Sequence, residues 1–171
     1  EAVRTAENPD ALLLEFLQST YEAAAELGLE DETFVACSLG PGTKLPSLGH
    51  IEFDEMRAGY ELSISAAIDA KADIILFETC QDPLQIKAAL IGAEDAFCAK
   101  GVRLPVMVSA TIETNGSMLI GTDAKTLAAI LAPFDILTLG FNCGTGPKEV
   151  AKHVKTLSEL WGKPISVHSN A

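Results

Sequence analysis

The feature that most constrains this chain is a repeated change of period, in which amphipathic helical stretches alternate with short apolar runs rich in β-branched residues. From about Pro9 to Leu27, Leu13, Phe16, Leu17, Tyr21 and Ala24 recur at helical spacing, and Gly28 marks the stop. Asp54 to Ala70 repeats the pattern. Asp82-Pro83 places a capping carboxylate before a first-turn proline, which predicts a helix to about Ala99 with Gly101 behind it. Thr122-Asp123 and Gly146-Pro147 open two more helices. Between them lie Phe34 to Leu39, Asp73 to Phe77, Pro105 to Ser109, Ile136 to Gly140 and Pro164 to Val167, each bounded by turn residues and read as a buried parallel strand. Alternating βα units of this kind predict an α/β fold, either a closed barrel or an open doubly wound sheet. Asn115-Gly116 between Thr111-Ile112 and Met118-Leu119-Ile120 is a hairpin-turn signal, and a small β-ribbon is expected there.

A closed (β/α)8 barrel needs eight strands and about 200 or more residues. This chain has 171 residues, opens on a helix and ends on a strand. It is therefore expected to be either part of a barrel or a small open sheet. Composition excludes several functions: 24 acidic residues against 12 basic ones give a net charge of -12, which repels nucleic-acid backbones and anionic membranes. No apolar run approaches the ~20 residues that span a bilayer, and the first residues lack signal-peptide organisation, so a cytoplasmic location is expected. Cys37, Cys80, Cys98 and Cys143 are scattered without a CxxC pair, which argues for core thiols or metal ligands rather than a disulfide framework.

Ligands of parallel α/β proteins bind beyond the carboxyl ends of the strands. The residues found there are Ser38-Leu39-Gly40-Pro41-Gly42-Thr43-Lys44, Glu78-Thr79-Cys80, Ser109-Ala110-Thr111, Asn142-Cys143-Gly144 and His168-Ser169-Asn170-Ala171. The first lacks the spacing of a phosphate loop and reads as a tight glycine turn. Glu78 is either a paired or hydrogen-bonded rim residue or a grip on a substrate ammonium group. Cys143 follows a strand and precedes a glycine turn, so it is either a metal ligand or nucleophile or a packed thiol. His50, His153 and His168 have no spacing that brings two imidazoles to one metal. Asp82 is accounted for as a helix cap.

Taken in order, these rim segments resemble the homocysteine-binding domain of cobalamin-dependent methionine synthases, part of the wider homocysteine S-methyltransferase family. The likeness runs from about Phe34 to the last residue, and the Gly40-Pro41-Gly42-Thr43-Lys44 wording, cutting across the glycine turn, together with Glu78-Thr79-Cys80-Gln81-Asp82, points to the cobalamin enzymes rather than the betaine-dependent ones. The resemblance implies a (β/α)8 barrel of which residues 1–171 form a partial domain holding the third to seventh strands. It implies a catalytic zinc bound by three cysteine thiolates, one of them Cys143, with the other two after the eighth strand and so beyond Ala171. Glu78 would bind the homocysteine amino group, with Thr111 and Asn142 also contacting substrate. Methylcobalamin and methyltetrahydrofolate would be bound by other modules of a longer protein, and the chain alone is expected to be inactive. A homocysteine methyltransferase using betaine or a methylsulfonium donor, or a non-catalytic barrel used for binding, are the rival readings. Ser109-Ala110-Thr111, Gly144-Thr145-Gly146 and Ser169 depart from the family's usual wording without touching Cys143 or Glu78.

Overall fold

The computed structural model describes residues 15, 18–20, 22, 23, 25–28 and 33–170. Five strands alternate with helices: β1 (Ala36–Leu39), α1 (Phe53–Asp69), β2 (Ile74–Cys80), α2 (Pro83–Lys100), β3 (Val106–Ala110), α3 (Ala124–Leu131), β4 (Thr138–Asn142), α4 (Pro147–Leu160) and β5 (Ile165–His168). The strands lie side by side in chain order, β1-β2-β3-β4-β5, and every pairing is parallel. A doubly wound sheet reverses its order at a switch point, whereas this one never reverses, which is the winding of a barrel wall.

Helix boundaries follow from local chemistry. Asp82 caps α2 by accepting from the Leu84 amide at 2.8 Å, and Asp123 caps α3 by accepting from the Thr126 amide at 2.8 Å. That contact holds the Asp123 carboxyl below its usual range, with the backbone hydrogen bond as the main cause. Gly101 ends α2 in the left-handed conformation. Upstream, the described residues from 15 to 26 are helical and Gly28 is left-handed, whereas Leu13, Phe16, Leu17, Tyr21 and Ala24, which carry the expected apolar stripe, lie outside the described residues.

Strand register separates two faces. Cys37, Ile75, Phe77, Val108, Leu139 and Phe141 share one face, are all buried, and belong to the core that packs against the helices. Ala36, Ser38, Leu76, Met107, Ser109, Gly140, Asn142, Ser166 and His168 occupy the other, which apart from Leu76 and Met107 is small-residue and polar. No helix among the described residues is long and apolar enough to cross a membrane.

The expected ribbon around Asn115-Gly116 does not form. The turn itself is real: Asn115 Oδ1 accepts from the Ser117 amide and hydroxyl at 3.0 Å, and the Glu113 amide reaches the Ser117 carbonyl at 2.9 Å. The flanking residues do not ladder, leaving the single bridge Ser117 to Asp123. Ile112 and Met118, read as strand residues, are instead buried in the core, and that packing competes with an exposed ribbon.

Candidate active site

The carboxyl ends of β2, β3 and β4 converge on one buried side chain, the amide of Asn142, which is 4% exposed. Its Oδ1 accepts from the Ser109 hydroxyl at 2.7 Å and from the Thr79 amide at 3.1 Å. Its Nδ2 donates to Thr79 Oγ1 at 2.7 Å and to Cys143 Sγ at 3.2 Å. The Thr111 hydroxyl, also buried, donates to the Asn142 backbone carbonyl at 3.3 Å. Three strands are thus tied together by one amide whose orientation its partners determine.

Cys143 leaves β4 in the left-handed region (φ 53°), exposed, with its amide donating to the His168 carbonyl at 3.1 Å. The chain then turns sharply, and the Thr145 amide reaches back to the Cys143 carbonyl at 2.7 Å. Gly144 makes this possible: its φ is 61°, and a Cβ there would lie 2.4 Å from the Ile112 carbonyl oxygen. Earlier in the same strand, a Cβ on Gly140 would lie 1.7 Å from the Ser166 carbonyl oxygen, so only glycine lets β4 approach β5 this closely.

Glu78 sits in a register break of β2. Phe77 pairs with Val108 and Cys80 with Ala110, so Glu78 and Thr79 together oppose Ser109 alone. The break keeps Cys80 on the helix face, where burial first and the Glu78 charge second push its thiol up to about 12. Glu78 remains half-buried and accepts from the Ser38 hydroxyl through Oε2 at 2.8 Å. Among the described residues no cation lies within ion-pair distance of it, and the contact that these residues supply is the hydrogen bond from Ser38. Such a carboxylate can accept a ligand's ammonium group.

The remaining expected features separate from this cluster. The loop from Gly40 to Lys44 borders a cavity of about 410 Å³ with Met56, Tyr60 and Ser63 of α1, and neither Glu78 nor Cys143 lines it. That loop is tied down by Tyr60, whose hydroxyl donates to the Gly40 carbonyl at 3.1 Å and is pushed up to about 12 by burial. Asp82 does more than cap α2, because it also accepts from the Ser47 amide and hydroxyl at 2.8 and 2.7 Å. His50 accepts from the Leu45 amide, His153 lies against Gly116, and His168 is exposed on β5, so the imidazoles do not gather. His153 is lowered from its ordinary value by burial and by Lys152. Cys37 is buried in the core, and Cys98 is exposed on α2. Ala171 lies outside the described residues. Sequence reasoning passed over Ser38, Thr79 and Ser109 as partners, since only cross-strand register reveals them.

Among the described residues, no three His, Cys, Asp or Glu side chains gather to hold a metal ion. Among the described residues the chain offers one cysteine, Cys143, directly after a strand end at the rim, with an amide donor beside it. This fits a single contributed ligand and not a complete metal site.

A family model for homocysteine S-methyltransferase matches residues 3–171. The methionine synthases of Mycobacterium leprae and Mycobacterium tuberculosis are 43% and 42% identical over 149 residues, which is 86% of this chain and 12% of each relative. The chain thus spans about one eighth of the length of the curated relatives it matches. The homocysteine methyltransferase MmuM from Escherichia coli is 25% identical, with TM-scores of 0.73 for its apo form and 0.76 for its metallated form. Those superpositions cover 95% and 96% of this chain and 59% of the other.

Proposed function

The chain belongs to the homocysteine S-methyltransferase family, and from that membership we propose that it is the central part of a barrel domain in which the sulfur of L-homocysteine accepts a methyl group to give methionine. Methylcobalamin is the donor in this reading, presented by a cobalamin-binding module of a longer protein that also carries a methyltetrahydrofolate-binding module. The identity to methionine synthases, of which the chain is a small part, supports that setting. The observation that carries the reading is the pairing of an open carboxylate, Glu78, with an exposed rim thiol, Cys143, around one buried amide.

Glu78 binds the substrate ammonium through the carboxylate oxygen that Ser38 leaves free. Asn142 and Thr111 form the wall against which the amino acid lies, and Cys143 serves as one of three thiolates for zinc, the other two coming from outside this chain. When bound, zinc supplies a Lewis acid that holds the substrate sulfur as a thiolate near neutral pH. The thiol proton leaves to solvent, the sulfur lone pair forms the new S–C bond, and the donor–methyl bond breaks with its electron pair staying on the donor. Glu78 and the Asn142 wall hold the sulfur in line with the methyl carbon. On its own the chain, with one thiolate, is inactive.

The test uses the full-length protein with L-homocysteine and methylcobalamin. Glu78→Gln is expected to raise KM for homocysteine about 10–100-fold, the worth of a charge-assisted contact, with a smaller change in kcat. Turnover only with betaine or a methylsulfonium donor would overturn the donor assignment. Unchanged kinetics in Glu78→Gln would remove Glu78 from the site, and absence of turnover with every donor would overturn the reading.

A further inference from the structure

Three non-glycine residues among those described have left-handed backbone, Lys71, Thr79 and Cys143, and two of them touch Asn142. Thr79 is the costlier of these two, because a β-branched side chain at φ 59° is held in a sparsely populated region and persists only where its surroundings over-determine it. The surroundings do so here. The Thr79 amide and hydroxyl both bond the Asn142 amide, and Ser109 holds that amide from the intervening strand. The register break that Thr79 completes follows directly on Glu78, which alternation from core-facing Phe77 places on the polar face of the sheet. The same Asn142 nitrogen reaches the Cys143 sulfur.

We propose that Thr79 and Ser109 are positioning residues that fix the separation between Glu78 and Cys143 and so select the length of the thiol amino acid. The inference rests on the functional reading above, in which the ammonium is held at Glu78 and the sulfur at the metal bound by Cys143. Glu78 lies near the end of β2 and Cys143 directly follows β4, so the gap between them is the one that β3 occupies. The clamp Thr79–Asn142–Ser109 bridges that gap with hydrogen bonds on every side. A γ-thiol amino acid, one methylene longer than cysteine, then meets both ends, whereas a β-thiol amino acid reaches only one. Loosening the clamp lets the two ends drift and removes the length preference before it removes binding.

The experiment measures calorimetric Kd values of L-homocysteine and L-cysteine on the zinc-loaded full-length protein, for wild type, Thr79→Val, Ser109→Ala and Thr79→Ser. The wild type is expected to prefer homocysteine about 10–200-fold, the usual worth of one methylene in a fitted site. Thr79→Val keeps the side-chain shape and loses the hydroxyl; Ser109→Ala tests the same clamp from β3 should the first variant fold poorly. Both are expected to lower the homocysteine-to-cysteine preference about tenfold, and Thr79→Ser to retain it. A preference unchanged in both variants, or affinities for the two amino acids falling by the same factor, would overturn the length-selecting role while leaving the functional reading intact. A wild type that binds neither amino acid would overturn both.

Discussion

The two faces of the sheet are built from the same strands and obey opposite rules. Toward the helices, Ile75, Phe77, Val108, Leu139 and Phe141 are essentially without solvent exposure, and no polar side chain interrupts them. On the opposite face, one residue along each strand, stand Ser38, Ser109, Gly140, Asn142 and Ser166, small or polar, with hydrogen bonds running across strands. A period of two therefore divides labour: apolar burial on one side holds the strands together, and the other side is free to carry chemistry. Damage to the first should appear as lost stability. Damage to the second should appear as lost recognition.

The sharpest way to break this division is at the one residue on the chemical face whose role is steric. Gly140→Ala would press a Cβ into the Ser166 carbonyl and push β5 from β4, so the full-length protein is expected to lose cooperative unfolding and zinc together. A smaller effect separates the faces. Phe77→Ala is expected to cost about 3–5 kcal/mol in denaturant unfolding while homocysteine affinity, measured well below the melting point, stays within about threefold. Loss of affinity without loss of stability would invert the assignment of that face. The smallest effect is chemical. With iodoacetamide at mildly alkaline pH, Cys98 should alkylate in the native protein and Cys143 only once zinc has been removed, whereas Cys80, its thiol pushed up to about 12, and Cys37, raised by burial, should alkylate only on unfolding. Native-state labelling of Cys80 at the rate of Cys98 would place it on the wrong face.

The helix-facing half of this comparison is written plainly in the sequence. Apolar runs, capping carboxylates and glycine stops act within a few residues of one another, so Asp82, Asp123 and Gly101 can be read without the fold. The β2 strand nevertheless runs three residues past its apolar core, to Cys80, because the register break lets polar Glu78 and Thr79 remain in the strand. The site is legible only in part. Glu78 and Cys143 stand out through position and through resemblance, whereas Ser38, Thr79 and Ser109 matter through pairings 33 to 63 residues away that no local pattern encodes. A threonine disfavours the left-handed conformation by propensity, so its use here is dictated by the Asn142 contacts alone. Asn115-Gly116 teaches the converse: turn chemistry is local and was legible, but whether flanking residues ladder depends on the competing burial of Ile112 and Met118.

The most direct test of the account is metal content together with zinc–sulfur X-ray absorption on the full-length protein, wild type against Cys143→Ser, with and without L-homocysteine. The account predicts that the wild type binds zinc and gains a sulfur neighbour when homocysteine is added, and that Cys143→Ser loses both. Retained zinc with an unchanged homocysteine-dependent sulfur signal in Cys143→Ser would remove Cys143 from the metal site and contradict it.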